Sequence, residues 1–169
     1  MSRQKRPLKG KHPRESAVEM TELVLPVHTN TLGGVFGGTV MSWIDIAGAI
    51  TAGRHARQIV VTASVDALHF IAPIYLGQIV HIRAKVNYAG RTSMEVGVRL
   101  DSEDQLTGNQ THNVSAYITF VALDKNKKPI EIPPIIPETE EEKRRLEQAK
   151  IRREDRIKLA QRLRAAAKS

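Results

Sequence analysis

The segment from residue 36 to about residue 57 is the feature that most restricts how this chain can fold. Its pattern is helical, and its side chains are apolar or small on almost every side, so we predict a helix that is buried on most of its faces. At 1.5 Å per residue this helix is ~30 Å long, about the width of a small domain. A single helix of this kind requires other elements that surround it.

The remaining segments predict strands that supply this cover. A first strand is expected over residues 20–28, where Pro26 marks a sheet edge or the end of the strand. Four longer strands are expected after the helix because their residues are β-branched or alternate in polarity. They span residues 59–74, 77–90, 91–104 and 110–124. Short glycine-containing turns favour antiparallel hairpins. We therefore predict an α+β fold in which a strongly curved antiparallel sheet wraps one long helix, with exposed edges that favour self-association.

The charge of the chain is concentrated at its two ends. Residues 1–14 contain six Lys and Arg and no acid, residues 138–169 carry a net charge of +4, and residues 15–137 carry −2. We expect a disordered basic N-terminus over residues 1–16, one domain over residues 17–137 and a charged C-terminal helix over residues 138–169. Basic tails can serve nucleic acid, membrane surfaces or phosphorylated ligands, but charged tails without a specific partner are also common.

Composition argues against several classes of protein. The sequence has no cysteine, which excludes disulfides, thiolate zinc sites and cysteine nucleophiles. Aromatic residues make up 4% of the chain and its body is slightly acidic, which argues against nucleic-acid binding. No apolar run reaches the ~18 residues that a membrane span needs. The basic N-terminus lacks the apolar segment of a secretory signal, so we expect a cytoplasmic protein.

The histidines do not predict a metal site. Five of them are scattered along the chain without an H-x-x-x-H or H-x-x-E-H spacing. They are His28, His55, His69, His81 and His112. A Ser-His-Asp triad is disfavoured because the sequence contains no G-x-S-x-G nucleophile elbow.

One acidic residue interrupts the apolar helix. Asp45 has apolar or small neighbours on both sides. A carboxylate in an apolar environment costs several kcal/mol unless it is paired, hydrogen-bonded or protonated. On residue type alone, a structural role stays open, in which the carboxylate caps neighbouring backbone or pairs with an arginine across a dimer interface. The other interpretation is that the carboxylate carries out chemistry.

The residues around Asp45 resemble a known signature. Residues 28–50 read "HTNTLGGVFGGTVMSWIDIAGAI". This segment resembles the hotdog-fold acyl-CoA thioesterases, in particular the single-domain acyl-CoA hydrolases related to the mammalian brain-type cytosolic enzyme. The shared pattern is an asparagine before the helix, a G-x-F-G-G at its start and an aspartate within it. These fall on Asn30, on residues 34–38 and on Asp45. Later segments, including "GRTSMEV" and the Arg/Glu-rich tail, also match, so the resemblance covers roughly residues 18–160.

The resemblance implies an acyl-CoA thioesterase, which hydrolyses acyl-CoA to a free fatty acid and CoA. Asp45 would act as general base or nucleophile, and Asn30 would orient the thioester carbonyl or the water. The backbone N–H groups of Gly37 and Gly38, at the helix N-terminus, would form the oxyanion hole. Because Asp45 lies about two turns into the helix, it would face these groups of a second subunit. The resemblance implies no metal and no cofactor, since CoA is bound only as part of the substrate.

The phosphates of CoA need cations and N–H donors. The resemblance implies that CoA lies near the turn at residues 90–93 and along the strand that begins at Ile59, while basic residues at the end of the helix and in the tail are further candidates. The candidates are Gly90, Arg91, Thr92 and Ser93 in the turn, Val60 and Val61 on the strand, and Arg57 and Arg153. The alternatives are a plain hairpin turn with a solvated arginine and, for Asn30, an ordinary Asx turn.

The family analogy also implies an assembly. It predicts a homo-oligomer that is at least a dimer, and it favours a trimer of dimers. A second interpretation is a non-catalytic hotdog protein that binds acyl-CoA as a sensor, against which the presence of Asp45 argues. A basic nucleic-acid-binding protein ranks third, because the body of the chain is acidic and poor in aromatic residues.

Overall fold

A computed structural model of the chain describes residues 8–167. The strands are β1 (Val18–Leu23), β2 (Ile59–Phe70), β3 (Ile79–Ala89), β4 (Ser93–Glu103) and β5 (Gln110–Leu123), and the helices are α1 (Gly37–Ala56) and α2 (Glu140–Ala166). Short 3-10 helices at Pro13–Glu15 and Pro26–His28 flank β1. None of the helices in residues 8–167 combines the length and apolarity that crossing a bilayer requires.

The five strands form one antiparallel sheet in the order β1-β3-β4-β5-β2. Helix α1 connects β1 to β2, which lie at opposite edges of the sheet, and it packs against every strand on the way. The curved sheet therefore wraps the helix, and the predicted α+β hotdog architecture is confirmed.

The core lies between α1 and the inner face of the sheet. The predicted alternation places Met94, Val96, Val98 and Leu100 of β4 inward, all at most 3% exposed. A set from β5 faces the same way and is at most 1% exposed: Val114, Ala116, Ile118 and Phe120. Gly48 of α1 lets the helix approach this layer closely, because a Cβ built there would lie 2.9 Å from the Phe120 ring.

The sequence predicts that α1 is buried on most of its faces, but in the single chain one face of the helix is exposed. We call it the open face. Met41, Ser42, Asp45, Ile46 and Ile50 are exposed, whereas Trp43, Ile44, Ala47 and others of the opposite face are buried. The curved sheet thus wraps only part of the circumference of the helix. The exposed apolar side chains therefore form a surface that a second protein surface can cover.

The N-terminal segment differs from the expected disorder over residues 1–16. Residues 1–7 lie outside the described range, but residues 8–16 pack on the domain. The backbone of Lys11 pairs with Ile135 in an isolated parallel β-bridge. Its Nζ donates to the carbonyl oxygens of Arg54 at 3.2 Å and His55 at 2.7 Å. A lysine there satisfies free carbonyls at the negative end of α1, which explains part of the N-terminal basicity.

Helix α2 is fixed to the outer face of the sheet by charged pairs. Its N-terminus has a capping box between Thr139 and Glu142. Further along, Arg152 donates to both carboxylate oxygens of Glu95 on β4 at 2.7 and 3.0 Å, and its guanidinium lies 3.7 Å from the Tyr117 ring centroid. Residue Arg156 pairs with Asp66 on β2. These contacts attach the tail helix to the domain.

Candidate functional site

Asp45 lies on the open face of α1 and has one hydrogen-bond donor. Thr62 of β2 donates from Oγ1 to Asp45 Oδ1 at 2.7 Å. Among residues 8–167, no Lys or Arg forms an ion pair with this carboxylate. Pairing with an arginine across a dimer interface stays a prediction. One carboxylate oxygen is thus oriented by Thr62, while the other remains available as a proton acceptor.

An apolar cavity of about 350 Å³ adjoins this carboxylate. Apart from Asp45, Ser42 and Thr62, its lining is glycine and apolar side chains from α1, β2 and β5. They are Gly38, Met41, Ile44, Val65, Leu68 and Ile118. The arrangement can hold an apolar group beside a carboxylate and a hydroxyl.

The N-terminus of α1 presents free backbone donors. Phe36 is the N-cap residue, and none of the described side chains caps this end. The N–H groups of Thr39 and Val40 donate to the Phe36 carbonyl at 2.9 and 3.3 Å. Within the described part of the chain, the N–H groups of Gly37 and Gly38 have no acceptor. Two adjacent donors at the positive end of a helix can bind an anion or an oxyanion.

Asn30 organises the loop before α1. Its Oδ1 accepts from the Leu32 N–H at 2.9 Å, and its backbone N–H donates to the Gly34 carbonyl at 2.8 Å. The Asx turn is therefore present. The carboxamide nitrogen has no acceptor among residues 8–167, so a side-chain donor is left. Asn30 also lines a cavity of about 420 Å³ together with Phe70 and Tyr75.

Asp45 and the helix N-terminus are separated within one chain. Gly38 precedes Asp45 by seven residues, a rise of ~10 Å along the axis. Both residues line the same cavity, but one small reacting group cannot contact both at this distance. A single subunit therefore does not assemble the carboxylate and the backbone donors around one atom.

The turn at residues 90–93 is a tight link between β3 and β4. The Gly90 N–H donates to the Ser93 carbonyl at 2.8 Å, and the carbonyls of Thr92 and Arg91 accept from Ala122 and Ile132, each at 3.0 Å. The Arg91 side chain is exposed and, across the residues described, has no ion-pair partner. It is available to an anion.

Arg153 lies close to this turn. Its guanidinium is 6.0 Å from the Tyr88 ring centroid, and a Cβ on Gly90 would lie 3.3 Å from the same ring. Tyr88 thus connects the tail helix to the turn. The structure brings Arg153 and the turn together, although they are distant in sequence.

Arg57, Val60 and Val61 lie at the end of the domain opposite the helix N-terminus. Arg57 ends α1 in the left-handed conformation, at φ 53°, and borders a cavity of about 340 Å³. Val61 pairs with Val121 of β5, which pairs on its other side with Ser93. The start of β2 and the turn are therefore separated by one strand. Asp45 is ~18 Å from Arg57 along α1.

Sequence reasoning did not identify Thr62 as a site residue. Strand β2 has irregularities between Thr62 and Ser64 and between Val65 and Ala67. As a result, Thr62, Val65 and Leu68 all line the cavity beside Asp45. Strict alternation would place residues 62, 64, 66 and 68 on one face of the strand. Because the bulges change this pattern, the alternation of the sequence does not show that Thr62 faces α1.

Comparison with known proteins gives consistent results. The family described as "Thioesterase superfamily" matches residues 32–109. The chain is 43% identical over 129 residues to the uncharacterized acyl-CoA thioester hydrolase YkhA of Bacillus subtilis, covering 76% of this chain and 75% of that one. It is 35% identical over 139 residues to the cytosolic acyl coenzyme A thioester hydrolase of Rattus norvegicus, covering 81% of this chain. The match spans only 36% of the rat protein.

Solved structures match over nearly the whole chain. An apo-hexameric acyl-CoA thioesterase superposes with a TM-score of 0.88 at 42% identity, covering 90% of this chain and 98% of that one. The acyl-CoA hydrolase of Staphylococcus aureus, in complex with butyryl coenzyme A, coenzyme A and coenzyme A disulfide, superposes at 0.85 with 39% identity, covering 94% and 95%.

Three variants of the Staphylococcus aureus hydrolase have also been solved. They replace an asparagine, an aspartate and a threonine by alanine, and the spacings between the three positions are 15 and 17 residues. Asn30, Asp45 and Thr62 have the same spacings in this chain.

Proposed function

Because this chain belongs to the thioesterase superfamily and is an acyl-CoA hydrolase with the hotdog fold, we propose that Asp45 is the group that activates water or attacks the thioester. Hydrolysis then yields a free fatty acid and CoA. The observation that carries this proposal is the hydrogen bond from Thr62 to Asp45 on an exposed helix face beside an apolar cavity.

In the general-base form of the reaction, Asp45 takes a proton from a water molecule that attacks the thioester carbonyl carbon. The carbonyl oxygen becomes an oxyanion, and its collapse breaks the C–S bond and releases the CoA thiolate, which then takes up a proton. In the nucleophilic form, the carboxylate attacks the thioester carbonyl carbon, the C–S bond breaks and the CoA thiolate leaves and takes up a proton. Water then hydrolyses the mixed anhydride, which releases the fatty acid and restores the carboxylate. Both forms use the oxygen that Thr62 leaves free.

The oxyanion is proposed to bind the N–H groups of Gly37 and Gly38 of a second subunit, with the Asn30 carboxamide of that subunit orienting the carbonyl or the water. The ~10 Å rise between Gly38 and Asp45 supports a shared site, because one chain does not join the two. Two antiparallel α1 helices that meet through their open faces would bring the carboxylate of one beside the N-terminus of the other.

The exposed apolar surface supports a dimer. Besides the open face of α1, edge strand β2 exposes Ile59 at 70%, Phe70 at 53% and Val65 at 45%. An unpaired edge with apolar side chains favours pairing with another strand. We propose a dimer through α1 and β2, and a trimer of dimers in view of the hexameric acyl-CoA thioesterase that this chain resembles.

CoA is proposed to lie along the turn at residues 90–93. Arg91, which forms no ion pair in the described part of the chain, and the neighbouring Arg153 supply cations for its phosphates. Gly90, Thr92 and Ser93 form the turn itself. Val60, Val61 and Arg57 would line the other side at the start of β2. The coenzyme A complexes of the Staphylococcus aureus hydrolase support this class of ligand.

Two further expectations remain proposals. The reaction is proposed to need no metal and no added cofactor, so thiol release should be unchanged after treatment with a chelator. The cytoplasm is the proposed location, in keeping with the cytosolic rat hydrolase.

The test is free-thiol release from acyl-CoAs of short to long chain length, comparing wild type with Asp45→Asn. Asparagine keeps the volume but removes the basic carboxylate, so kcat should fall at least ~10²-fold. Asp155→Asn, an exposed acid on α2, is the matched control and should retain wild-type turnover. Thermal unfolding and molar mass verify that the variant is folded and assembled. Wild type that binds acyl-CoA tightly without releasing thiol would instead support the sensor interpretation.

A further inference from the structure

A cavity lined by charged side chains lies on the outer face of the sheet, between strands β3, β4 and β5 and helix α2. It measures about 410 Å³. We call it the basic groove and define it by its five cations, Arg83, Lys85, Arg99, Arg144 and Arg145. Residues of the groove on β3 and β5 alternate with the buried core residues of the same strands. The sheet therefore separates the basic groove from the cavity beside Asp45.

The cations of the groove are only partly neutralised. Arg83 and Arg99 are directly opposite each other in the register of β3 and β4, an unfavourable position for like charges. Buried Asp101 accepts from both, at 3.0 and 2.9 Å, and Glu19 also accepts from Arg83. Burial alone would raise the pKa of Asp101, but the hydrogen bonds from Arg99 and His112 lower it below its ordinary value. Asp101 is thus held ionised by its neighbours.

Two cations lack such a partner. Arg145 bonds to Glu141 at 2.5 Å. Within residues 8–167, neither Lys85 on β3 nor Arg144 on α2 has an ion-pair partner. Both line the groove, one from the sheet and one from the helix. Glu141 lines the groove with them, and its pKa is lowered by the hydrogen bond from Arg145 and by the nearby charges of Arg144 and Lys85. Because this one carboxylate faces three cations, the groove keeps a net positive potential that attracts an anion.

The walls of the groove are fixed without a ligand. Glu95, with its side chain 3% exposed, holds Arg152 of α2 through two hydrogen bonds, and Asp66 holds Arg156. On the floor, Ser115 Oγ lies 3.0 Å from His112 Nε2. Gly97 has no side chain, which leaves space in the groove. A Cβ at this position would lie only 2.5 Å from Asn87 Nδ2. A site that is already arranged loses little entropy on binding.

We propose that the basic groove binds a small polyanion that carries phosphate groups, at a site separate from the one that hydrolyses thioesters. Arginine and lysine are the side chains that recognise phosphate, and the volume suits a small molecule. Nucleic acid does not fit, because Arg152 covers a face of the Tyr117 ring and acids border the cations. The ligand is therefore a compact organic phosphate with at least two negative charges. The inference does not depend on the identity of the catalytic carboxylate.

The test uses inorganic tripolyphosphate as the probe and isothermal titration calorimetry on the full chain in its native assembly. The double variant Lys85→Gln/Arg144→Gln should weaken binding by about tenfold or more, because it removes two charge-assisted contacts. The matched control is Lys158→Gln/Arg162→Gln, which removes the same charge from exposed positions of α2 at least ~20 Å along the helix from Arg144. Its binding should stay within about twofold of wild type.

Several outcomes would overturn the proposal. No detectable binding to wild type would mean that the groove does not bind the probe. Equal weakening in both double variants would mean that the probe responds only to the net charge of the chain. Weakening by Arg91→Gln to the same degree would mean that tripolyphosphate occupies the proposed CoA contact. A lower molar mass of Lys85→Gln/Arg144→Gln by light scattering would mean that a second copy of the chain covers the groove. Thiol release without tripolyphosphate should be unchanged in both double variants, so failure of this proposal is distinct from failure of the proposed hydrolysis.

Discussion

Thr62 Oγ1 lies 2.7 Å from Asp45 Oδ1, and this hydrogen bond joins edge strand β2 to the open face of helix α1. It restricts the rotation of the carboxylate, which lines the cavity of about 350 Å³. A hydroxyl donor also satisfies an acid that forms no ion pair with the cations of residues 8–167. The pair therefore combines a structural contact between two elements with a positioned acceptor.

Replacing Thr62 by valine removes the hydroxyl and keeps the branched shape. We expect kcat for acyl-CoA hydrolysis to fall about 10- to 100-fold, with KM within about threefold of wild type, because the carboxylate loses its orientation but the binding surfaces remain. Steady-state thiol release measures both constants. Thr111→Val, on an exposed position of β5, is the matched control. An unchanged kcat in Thr62→Val would remove Thr62 from the site.

Arg57 is predicted to have two separable effects. Its φ of 53° is costly for a residue with a Cβ, so Arg57→Gly should stabilise the chain by about 0.5–1 kcal/mol and raise Tm by about 1–4 °C. Arg57→Ala removes the same guanidinium but keeps a Cβ, so the cost of the positive φ remains. If Arg57 contacts CoA phosphate, both variants raise KM equally, while only the glycine variant gains stability. Equal Tm values in the two variants would contradict the strain argument, and unchanged KM values would remove Arg57 from the CoA contacts.

The Glu95–Arg152 pair is expected to fix α2 to the sheet. Glu95→Gln leaves a mostly buried guanidinium without its counter-charge, so the free energy of unfolding should fall by about 2–4 kcal/mol. The double variant Glu95→Gln/Arg152→Gln should recover part of this loss, because no uncompensated charge remains. Denaturant unfolding at fixed protein concentration measures wild type, Glu95→Gln, Arg152→Gln and the double variant. Strictly additive effects of the two single substitutions would contradict the coupling.

His55 predicts a loss of stability in mild acid. Burial disfavours the charged imidazole and lowers the pKa of His55, and this outweighs its hydrogen bond with the Pro133 carbonyl at 2.8 Å. Above the ordinary pKa of about 6.5 the group is neutral in both states and contributes no pH dependence. Below it, the unfolded chain takes up a proton first, so stability falls as pH decreases towards the lower folded value, by up to about 1.4 kcal/mol per pH unit.

The comparison variant for this effect is His55→Gln, which cannot titrate. It should be less stable than wild type at pH 7.5, because the buried site is disturbed, but its free energy of unfolding should change less between pH 6.5 and 5.5. Denaturant unfolding at these pH values measures the difference between the two slopes. Parallel slopes would assign the acid sensitivity to other groups.

The helix and strands could be predicted because their signals are local. Helix α1 was expected over residues 36–57 and begins and ends within one residue of those limits. Strands β3, β4 and β5 follow the alternation of their side chains. The first strand was less well predicted, since it runs Val18–Leu23 and gives way to a 3-10 helix at Pro26–His28. Proline favours this turn because its φ is fixed.

Other features depend on contacts between distant residues, which no local pattern reports. The hydrogen bond between Thr62 and Asp45 depends on a bulge that interrupts the period of β2. The attachment of α2 joins Glu95 to Arg152 across 57 positions of sequence. Lys11, in a segment expected to be disordered, reaches the end of α1. In each case, the composition of the segment is compatible with solvent exposure.

The rise of ~10 Å that separates Asp45 from the N-terminus of its own helix has a genetic consequence. With the proposed shared sites, a subunit that lacks the carboxylate and a subunit whose helix N-terminus is blocked are each inactive alone. In a mixed dimer, both defects fall in one of the two sites, and the other site receives an intact contribution from each partner. Two inactive alleles expressed in one cell would therefore complement each other, and each mixed dimer would have about half of the wild-type turnover.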